Sequence, residues 1–214
     1  MGTPMTEQPH GEDAKARRRE QILRVATAVF ADKGYHKASI SHIIEHAGIA
    51  RGTFYLYFSS KHSVLEAILG YALTNLTQRI KGVEIGPGAP PPSEQLRDNI
   101  ERILGFVVDE PELARLLLNH GLSPDDEVAE RVAFFYDQTQ KLIERSLERG
   151  MELGTVRKCH APVAAAGAFG AIRGVIGYLI DNTGQVSDDE LKNAADEVLT
   201  FALRGVMVAD GDRS

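Results

Sequence analysis

The residues whose types could do chemistry are concentrated between positions 39 and 61. Hydroxyl and cationic side chains alternate there with aromatic ones. Hydroxyl, phenol and ammonium groups can donate hydrogen bonds to phosphate oxygens, and a guanidinium can also reach the edges of bases. This chemistry indicates binding of nucleic acid. The candidate residues are Ser39, Ser41, Arg51, Gly52, Thr53, Tyr55, Tyr57 and Lys61.

Two short helices joined by a tight turn are predicted to position these residues. Ser39 can cap the first helix by accepting an N–H that lacks an intrahelical partner. Gly48 can end that helix in a left-handed conformation. Phe54 and Phe58, spaced i, i+4, can anchor a second helix over 51–58 to the core. The arrangement is a helix-turn-helix, whose second helix enters the major groove of DNA.

The aromatic residues leave one alternative open, which is a small aromatic core cluster. For any single tyrosine the two interpretations weigh about equally, but a solvated helix gains little from two exposed tyrosines. We therefore expect Arg51 and Thr53 to reach base edges, with Ser41 as a further candidate from the preceding helix. The groups expected to bind phosphates are Ser39, Tyr55, Tyr57 and Lys61, and a basic cluster at 15–19 should contact the backbone beside them.

The pattern resembles the DNA-binding signature of the tetracycline-repressor (TetR) family of transcriptional regulators over about residues 17–70. Ala38 stands where that family often has Thr, so one phosphate-contacting hydroxyl is missing, and Ile44 replaces a common Ala. The resemblance implies a ligand-responsive homodimer, most often a repressor, on a roughly palindromic DNA operator. The matching residues are Gly34-Tyr35, Ser39-Ile40, Ile43, Ala47-Gly48-Ile49, Gly52-Thr53-Phe54-Tyr55, Tyr57-Phe58 and Lys61.

Charge is distributed unevenly along the 214 residues. Residues 1–62 carry 9 Lys or Arg and 6 Asp or Glu, a balance of +3, whereas residues 63–214 carry 15 and 24, a balance of −9. A basic N-terminal part on an acidic remainder suits a protein of which only one end faces phosphate. The single cysteine, Cys159, excludes an intrachain disulfide. No membrane span or signal peptide is expected, and the predicted location is cytoplasmic.

Helical periodicity without sustained two-residue alternation predicts an all-α fold of about nine helices. Residues 1–13 are expected to form a disordered tail, residues 14–61 a three-helix helix-turn-helix domain, and residues 62–210 a helical ligand-binding and dimerisation domain. A long helix from Lys61 to about Lys81 should join the two domains. The other predicted helices are 93–108, 111–120, 123–153, 162–181 and 187–208, and four prolines and three glycines make 82–92 a loop.

The predicted helix at 162–181 carries Gly167, Gly170, Gly174 and Gly177 on one stripe. Each mid-helix glycine costs about 1 kcal/mol relative to alanine, so close approach of another helix should offset them. The last helix also has a small apolar face at Ala194, Ala195, Val198 and Ala202. The two helices together predict a four-helix dimer interface, as the resemblance also implies. The alternative is tight packing within one subunit.

The resemblance further implies a small-molecule effector held in the helical body. Arg173 is the most informative candidate, because an unpaired charge in an apolar helix is costly. It should meet a carboxylate, a partner subunit or an anionic ligand. The candidate lining residues are Phe106, Leu116, Asn119, His120, Phe134, Phe135, Tyr136, Phe169, Arg173 and Ile176.

Catalysis, metal binding and cofactor binding are not expected. Cys159 and His160 are adjacent, and neighbouring residues rarely face one another productively. His42 and His46, spaced i, i+4, have no further ligand in view. Neither a phosphate loop nor a dinucleotide motif is present. Two other functions remain open: an enzyme or small-molecule binder that has kept an unused DNA-binding domain, and a pure interaction module.

Overall fold

The computed structural model of the protein describes residues 10–120, 126–181 and 187–206, and within them it is all-helical. The nine helices in this part of the chain are α1 (His10–Lys33), α2 (Ile40–Ala47), α3 (Arg51–Tyr55), α4 (Lys61–Arg79), α5 (Pro92–Asp109), α6 (Pro111–His120), α7 (Asp126–Glu152), α8 (Ala161–Asp181) and α9 (Asp188–Val206). This confirms the predicted fold class. Internal contacts divide the chain within α4, between Ile68 and Leu69. We call the two units the head and the body.

The head has a core formed by helices α1 to α3 and the first turns of α4. Ile22, Ala26, Val29 and Phe30 recur at helical spacing along α1 and are buried. Phe54 and Phe58 anchor the inner side of the α3 region. The amide of Gln21 in α1 donates to the carbonyl of Ala47 at the end of α2 (3.1 Å). The fully buried side chains of this core are Ile22, Ala26, Phe30, Ile43, Phe54 and Val64.

Two boundaries in the head differ from those predicted. Residues 10–13, expected in a disordered tail, begin helix α1, while residues 1–9 lie outside the described part. The second helix of the motif ends at Tyr55, not at 58. There the backbone tightens, because the amide of Tyr57 bonds the carbonyl of Phe54 three residues back. Tyr57 and Phe58 therefore follow α3 in a turn.

The body packs α5 against α9 and α7 against α8, with α6 beside α8. Pro92 and Pro111 open α5 and α6, and Ser187 with Glu190 forms a capping box at α9. Residues 123–125, part of the predicted α7 start, lie outside the described residues. The predicted loop between α4 and α5 is confirmed.

Buried Asn99 fixes the chain where it leaves α4. Its side-chain oxygen accepts the amide of Lys81 and its nitrogen donates to the carbonyl of Lys81, both at 2.8 Å. Arg102 donates to the same oxygen at 2.7 Å. A buried amide side chain is stable only with such partners, so this position ties the end of α4 to α5.

Among the described residues, helix α8 is long and apolar enough to cross a membrane by length and composition. In the body, however, Leu179 and Ile180 of α8 are buried against α5, α6 and α9. A core helix of a globular body shows the same composition, so this helix alone is weak support for a membrane span.

Candidate nucleic-acid interface and ligand cavity

Both ends of α2 are closed by local hydrogen bonds. The hydroxyl of Ser39 accepts the amide of His42 at 3.2 Å, and the ring Nδ1 of His42 accepts the amide of Ser39 at 3.2 Å. This capping box uses a histidine in the place usually taken by Glu or Gln. At the other end Gly48 adopts a left-handed conformation (φ 62°). The helix-turn-helix is therefore fixed by its own sequence.

The outward side of α2 and α3 carries most of the predicted DNA-contacting residues. Ser41, Arg51 and Gly52 are exposed, and the side chain of Tyr55 is 45% exposed. The guanidinium of Arg51 lies 5.8 Å from the centroid of the Tyr55 ring. Cation–π contact of this kind restrains two side chains that are otherwise free to move. An exposed guanidinium and an exposed phenol are thus held side by side on α3.

The other candidates are more enclosed. Thr53 and Tyr57 are half-buried, and the Ser39 hydroxyl is already the acceptor at the cap of α2. Ala38, where the resembling family often has Thr, is buried at 3% exposure. The aromatic alternative therefore describes Phe54 and Phe58, but not Tyr55.

Lys61 has a role within the head that the sequence did not suggest. Its ammonium donates to the carbonyls of Tyr35 (2.8 Å) and Ala38 (3.1 Å) and lies 4.2 Å from the centroid of the Tyr35 ring. These carbonyls belong to the segment between α1 and α2, where no helical partner is available. Lys61 thus stabilises the connection that sets the start of α2, and its contact with phosphate stays a prediction.

The basic cluster at the start of α1 is exposed along 15–19. Arg19 lies 5.2 Å from the centroid of the Phe58 ring, and Arg18 donates to the side-chain oxygen of Gln21 at 2.8 Å. Part of this cluster is therefore attached to the region that carries α3. That placement fits the predicted contact with a nucleic-acid backbone.

The body holds an apolar cavity of about 110 Å³. Its walls come from α4 to α8 and the residues that adjoin them, and its polar groups are Glu110, Tyr136, Thr139 and Arg173. Ligand pockets for drug-sized molecules usually span about 300–1,000 Å³, so a larger effector needs to move side chains or extend beyond this space. The predicted residues that line the cavity are Phe106, Phe135, Tyr136, Phe169, Arg173 and Ile176.

Four predicted lining residues are not placed there. Leu116 is 1% exposed and packs in the core, and the Phe134 side chain is 63% exposed on α7. Helical phase explains Phe134, because it adjoins the buried Phe135 and must point elsewhere. The side chains of Asn119 and His120 lie outside the described residues. The α4 contribution through Leu76 was not foreseen, because only the tertiary structure brings it to α7 and α8.

Arg173 stacks on the ring of Tyr136, with its guanidinium carbon 5.1 Å from the ring centroid. It also donates to the carbonyl of Leu118 at 3.4 Å, and the Tyr136 hydroxyl donates to the carbonyl of Leu117. Burial raises the pKa of the Tyr136 phenol above its usual range, although the charge and hydrogen bond of Arg173 act against this shift. Within the described residues Arg173 meets an aromatic ring and a carbonyl, where a carboxylate had been one expectation.

Most of the glycine stripe of α8 has open space beside it within the described part of the chain. A Cβ built on Gly167, Gly170 or Gly174 would meet no described atom within 4 Å, while one on Gly177 would meet the Leu118 Cδ1 at 3.9 Å. Among the described residues, therefore, nothing packs tightly against three of the four glycines. The small apolar face of α9 that was predicted to form the dimer interface packs inside the body instead. Ala195 and Val198 are buried there, and Ala195 lies beside Leu104 and Leu179. Ala202 lies outside the described side chains.

Two sequence profiles match the chain. One, described as bacterial regulatory proteins of the tetR family, covers residues 22–68, and one described as a tetracyclin repressor-like C-terminal domain covers residues 89–206. The chain belongs to the TetR family. The matches fall on the head and on the body, so both units have counterparts in that family.

Curated relatives support the same assignment. The chain is 52% identical over 63 residues to the HTH-type transcriptional regulator YvdT of Bacillus subtilis, covering 29% of this chain and 32% of that protein. It is 31% identical over 116 residues to the HTH-type transcriptional activator FasR of Mycolicibacterium smegmatis, covering 54% and 52%. The chain thus spans between a third and about half of these relatives.

Solved structures show the fold over nearly the full chain. The fatty acid degradation regulator FadR of Bacillus halodurans superposes with a TM-score of 0.72 at 21% identity, covering 94% of this chain and 97% of that one. FadR of Bacillus subtilis in complex with stearoyl-CoA gives 0.70 at 22%, covering 87% and 98%. At this identity the likeness concerns the fold alone.

The position of Lys61 yields a test of its role in the TetR head. Lys61→Met should lower the free energy of unfolding by about 1–3 kcal/mol, because two carbonyls lose their donor. Denaturant unfolding without DNA measures this effect. Lys37→Met, which removes an exposed lysine near the same segment, is the matched control and should change stability little. If Lys61→Met unfolded like the wild type, the assigned structural role would be wrong.

The environment of Tyr136 yields a prediction at alkaline pH. Because burial raises its pKa, the stability that its neutral form contributes is present below about pH 10 and is lost as pH rises through the folded-state pKa. Titration of phenolate absorbance should show a last phase that Tyr136→Phe removes. The exposed Tyr178 provides the control, since Tyr178→Phe should leave that phase in place. Persistence of the phase in Tyr136→Phe would contradict the assignment.

Proposed function

We propose that this protein is a homodimeric transcription regulator that binds a roughly palindromic DNA operator and is released from it by a small molecule. The observation that carries the proposal is the pairing of exposed Arg51 and Tyr55 on α3 of a capped helix-turn-helix. A second observation is the cavity in the body, which takes part of its wall from Leu76 of α4. Family membership supports both parts.

At the DNA, Arg51 is proposed to bond a base edge and Tyr55 a phosphate. Arginine is the residue that most often reads guanine in the major groove, where its fork bonds O6 and N7. Ser41 and Thr53 are further candidates for base contacts, with Gly52 allowing close approach of the backbone. Ser39, Tyr57 and Lys61 are also proposed to contact phosphates. Each of these side chains is partly buried, so the phosphate would have to lie close to the protein surface.

Substitutions in α3 separate base contact from phosphate contact. An operator is first obtained by selecting bound fragments from the source genome and footprinting them. Arg51→Ala should reduce the binding free energy on that operator by about 1–3 kcal/mol and relax the sequence preference. Tyr55→Phe should weaken binding less, and to a similar extent on operator and random DNA. Fluorescence anisotropy at several salt concentrations measures both.

Arg97→Ala, which removes an exposed arginine from α5 of the body, is the matched control and should leave DNA affinity nearly unchanged. Equal losses on operator and random DNA for Arg51→Ala would contradict its role as a base reader. Absence of any fragment that binds with strong salt dependence would favour the alternative function, a small-molecule binder with an unused head.

The cavity is proposed to hold the apolar part of the effector. Phe106, Phe135 and Phe169 offer aromatic contact, Ile176 adds aliphatic surface, and Arg173 and Tyr136 provide polar groups at one side. Helix α4 begins at Lys61 and supplies Leu76 to this wall, so occupancy of the cavity can bias the position of α4. The names of two relatives mention an acyl-CoA and fatty acid degradation, which makes an acyl compound a reasonable first effector to assay.

The dimer is proposed to form through the outer stripe of α8 together with α9. Val163 is 68% exposed and Tyr178 is 63% exposed, and the three open glycines lie between them on the same stripe. A helix of a second subunit can approach such a stripe closely, which would offset the helix-destabilising effect of the glycines.

The stripe gives a sharp prediction because a side chain added at Gly170 would meet no described atom of its own subunit. Gly170→Leu should leave the subunit folded, or stabilise α8 by about 1 kcal/mol through helix propensity, yet weaken dimerisation at least tenfold. Sedimentation equilibrium measures the dimer. Gly70→Leu on α4, also an exposed helical glycine with free space, is the matched control and should remain dimeric. A Gly170→Leu protein as dimeric as the wild type would overturn this interface.

Repression is the proposed direction of regulation, as the family resemblance implies. The name of the FasR relative describes an activator, so the direction needs its own assay. A reporter gene placed behind the selected operator should be less active when this protein is present. Higher reporter activity in its presence would assign activation instead.

A further inference from the structure

Beside the cavity, the body has a larger open groove of about 910 Å³. It runs among α5, the second half of α7, α8 and the end of the described part of α9, and the segment after Ile80 forms one edge. Apolar side chains make up much of its surface, among them Leu96, Leu142, Leu147 and Val156. Val163 and Gly167 of the proposed dimer stripe form one edge of this groove, whereas its walls from α5, α7 and the segment after Ile80 belong to neither the proposed dimer surface nor the proposed DNA surface.

The charges along the groove are of one sign. Lys81, Arg145, Arg149 and Arg157 line it, and no Asp or Glu is among its described lining residues. This is unexpected in a part of the chain where acidic residues outnumber basic ones by 24 to 15. Cations gathered on an apolar surface create a local positive potential that favours an anionic group.

One of these cations, Arg145, has no counter-ion in the part of the chain that the structure describes. Arg149 pairs with Glu152 at 2.8 Å, but Arg145, one turn earlier on α7, makes no ion pair with any described residue. Arg173 inside the cavity differs, since it already lies against Tyr136 and bonds the Leu118 carbonyl. Arg145 in the groove, unlike Arg173 in the cavity, is thus a cation whose charge no described carboxylate neutralises.

Four isoleucines connect the two spaces. Ile80, Ile103, Ile143 and Ile172 line both the groove and the cavity, so these side chains alone form a shared wall. Aliphatic side chains can change rotamer without breaking a hydrogen bond. A hydrocarbon chain that passed between the isoleucines would replace their contacts with one another by contacts with the ligand.

We propose that the groove binds the anionic end of a long amphipathic ligand whose hydrocarbon chain crosses the isoleucine wall into the cavity. Arg145 is the main contact of the anionic group, with Lys81 and Arg157 at its sides. A carboxylate or a phosphate satisfies the same cations. The inference deepens the proposed ligand-responsive function and rests on it for its biological meaning, although the binding site can be tested without DNA.

The test is a binding series on the full-length protein by titration calorimetry, with ligands below their micelle concentrations. Dodecanoate and dodecyl phosphate should bind, and affinity should rise about fourfold per methylene from hexanoate to dodecanoate as chain surface is buried. Dodecylammonium, with the same chain and the opposite charge, should bind at least tenfold more weakly. Equal affinity for the cationic and anionic amphiphiles would overturn the proposal.

Variants locate the two ends of the ligand. Arg145→Glu should weaken dodecanoate binding at least tenfold. Lys81→Glu, on the opposite edge of the groove, should also weaken it and serves as the test if Arg145→Glu folds poorly. Arg131→Glu, an equal charge change on α7 outside the groove, is the control and should bind normally. Ile143→Phe narrows the wall, so it should weaken dodecanoate and leave hexanoate unchanged.

The outcomes separate this inference from the proposed function. If Arg173→Leu lost dodecanoate binding while Arg145→Glu bound dodecanoate normally, the groove site would be overturned and the cavity would remain as the effector site. Normal amphiphile binding by a protein that binds no DNA would support the groove and contradict the regulator. Unchanged dodecanoate affinity in Ile143→Phe would show that the chain does not cross the wall, against the proposal.

Discussion

Helix α8 is apolar around its circumference, and the need to bury both of its sides is the constraint on which the body depends. Its inner side gives Phe169, Ile172 and Ile176 to the cavity and Leu179 to the core. Its outer side leaves Val163, Tyr178 and three open glycines in water. Exposed apolar surface of this kind is costly to a single subunit, so the hydrophobic effect favours a partner on the outside. The cavity and the proposed dimer surface lie on two sides of one helix.

The head depends on a different requirement, which is that backbone groups at helix ends find partners. Two short helices expose many such groups, because the first amides and last carbonyls of each lack intrahelical bonds. Ser39 with His42, left-handed Gly48 and the ammonium of Lys61 satisfy them from within the head. Arg51 and Tyr55 are thereby left on α3 with no structural task in the core. Short helices whose terminal backbone groups are hydrogen-bonded, and whose exposed polar side chains make no core contact, suit binding to the surface of another molecule.

The groove in the body is lined by positive charge although the net charge of the body is negative. The acidic excess of residues 63–214 would repel anions, yet the groove gathers Lys81, Arg145, Arg149 and Arg157 with no described carboxylate on its surface. Net charge governs behaviour at distances beyond a Debye length, whereas a ligand in the groove responds to the nearest side chains. An average over the sequence cannot reveal such a cluster, because its members come from three separate segments.

The sequence by itself determined the family, the all-helical class, the helix-turn-helix and most helix positions, because those follow from local signals such as the Ser39 cap, Gly48 and regular apolar spacing. It also singled out Arg173 and the glycine stripe of α8. Tertiary structure decided what non-local packing decides: that Lys61 bonds the 35–38 segment, that Phe134 points to solvent, and that the apolar face of α9 belongs to the core. It alone brought the four isoleucines and the cations of the groove together, since contacts between residues far apart in the chain leave no periodic mark in the sequence.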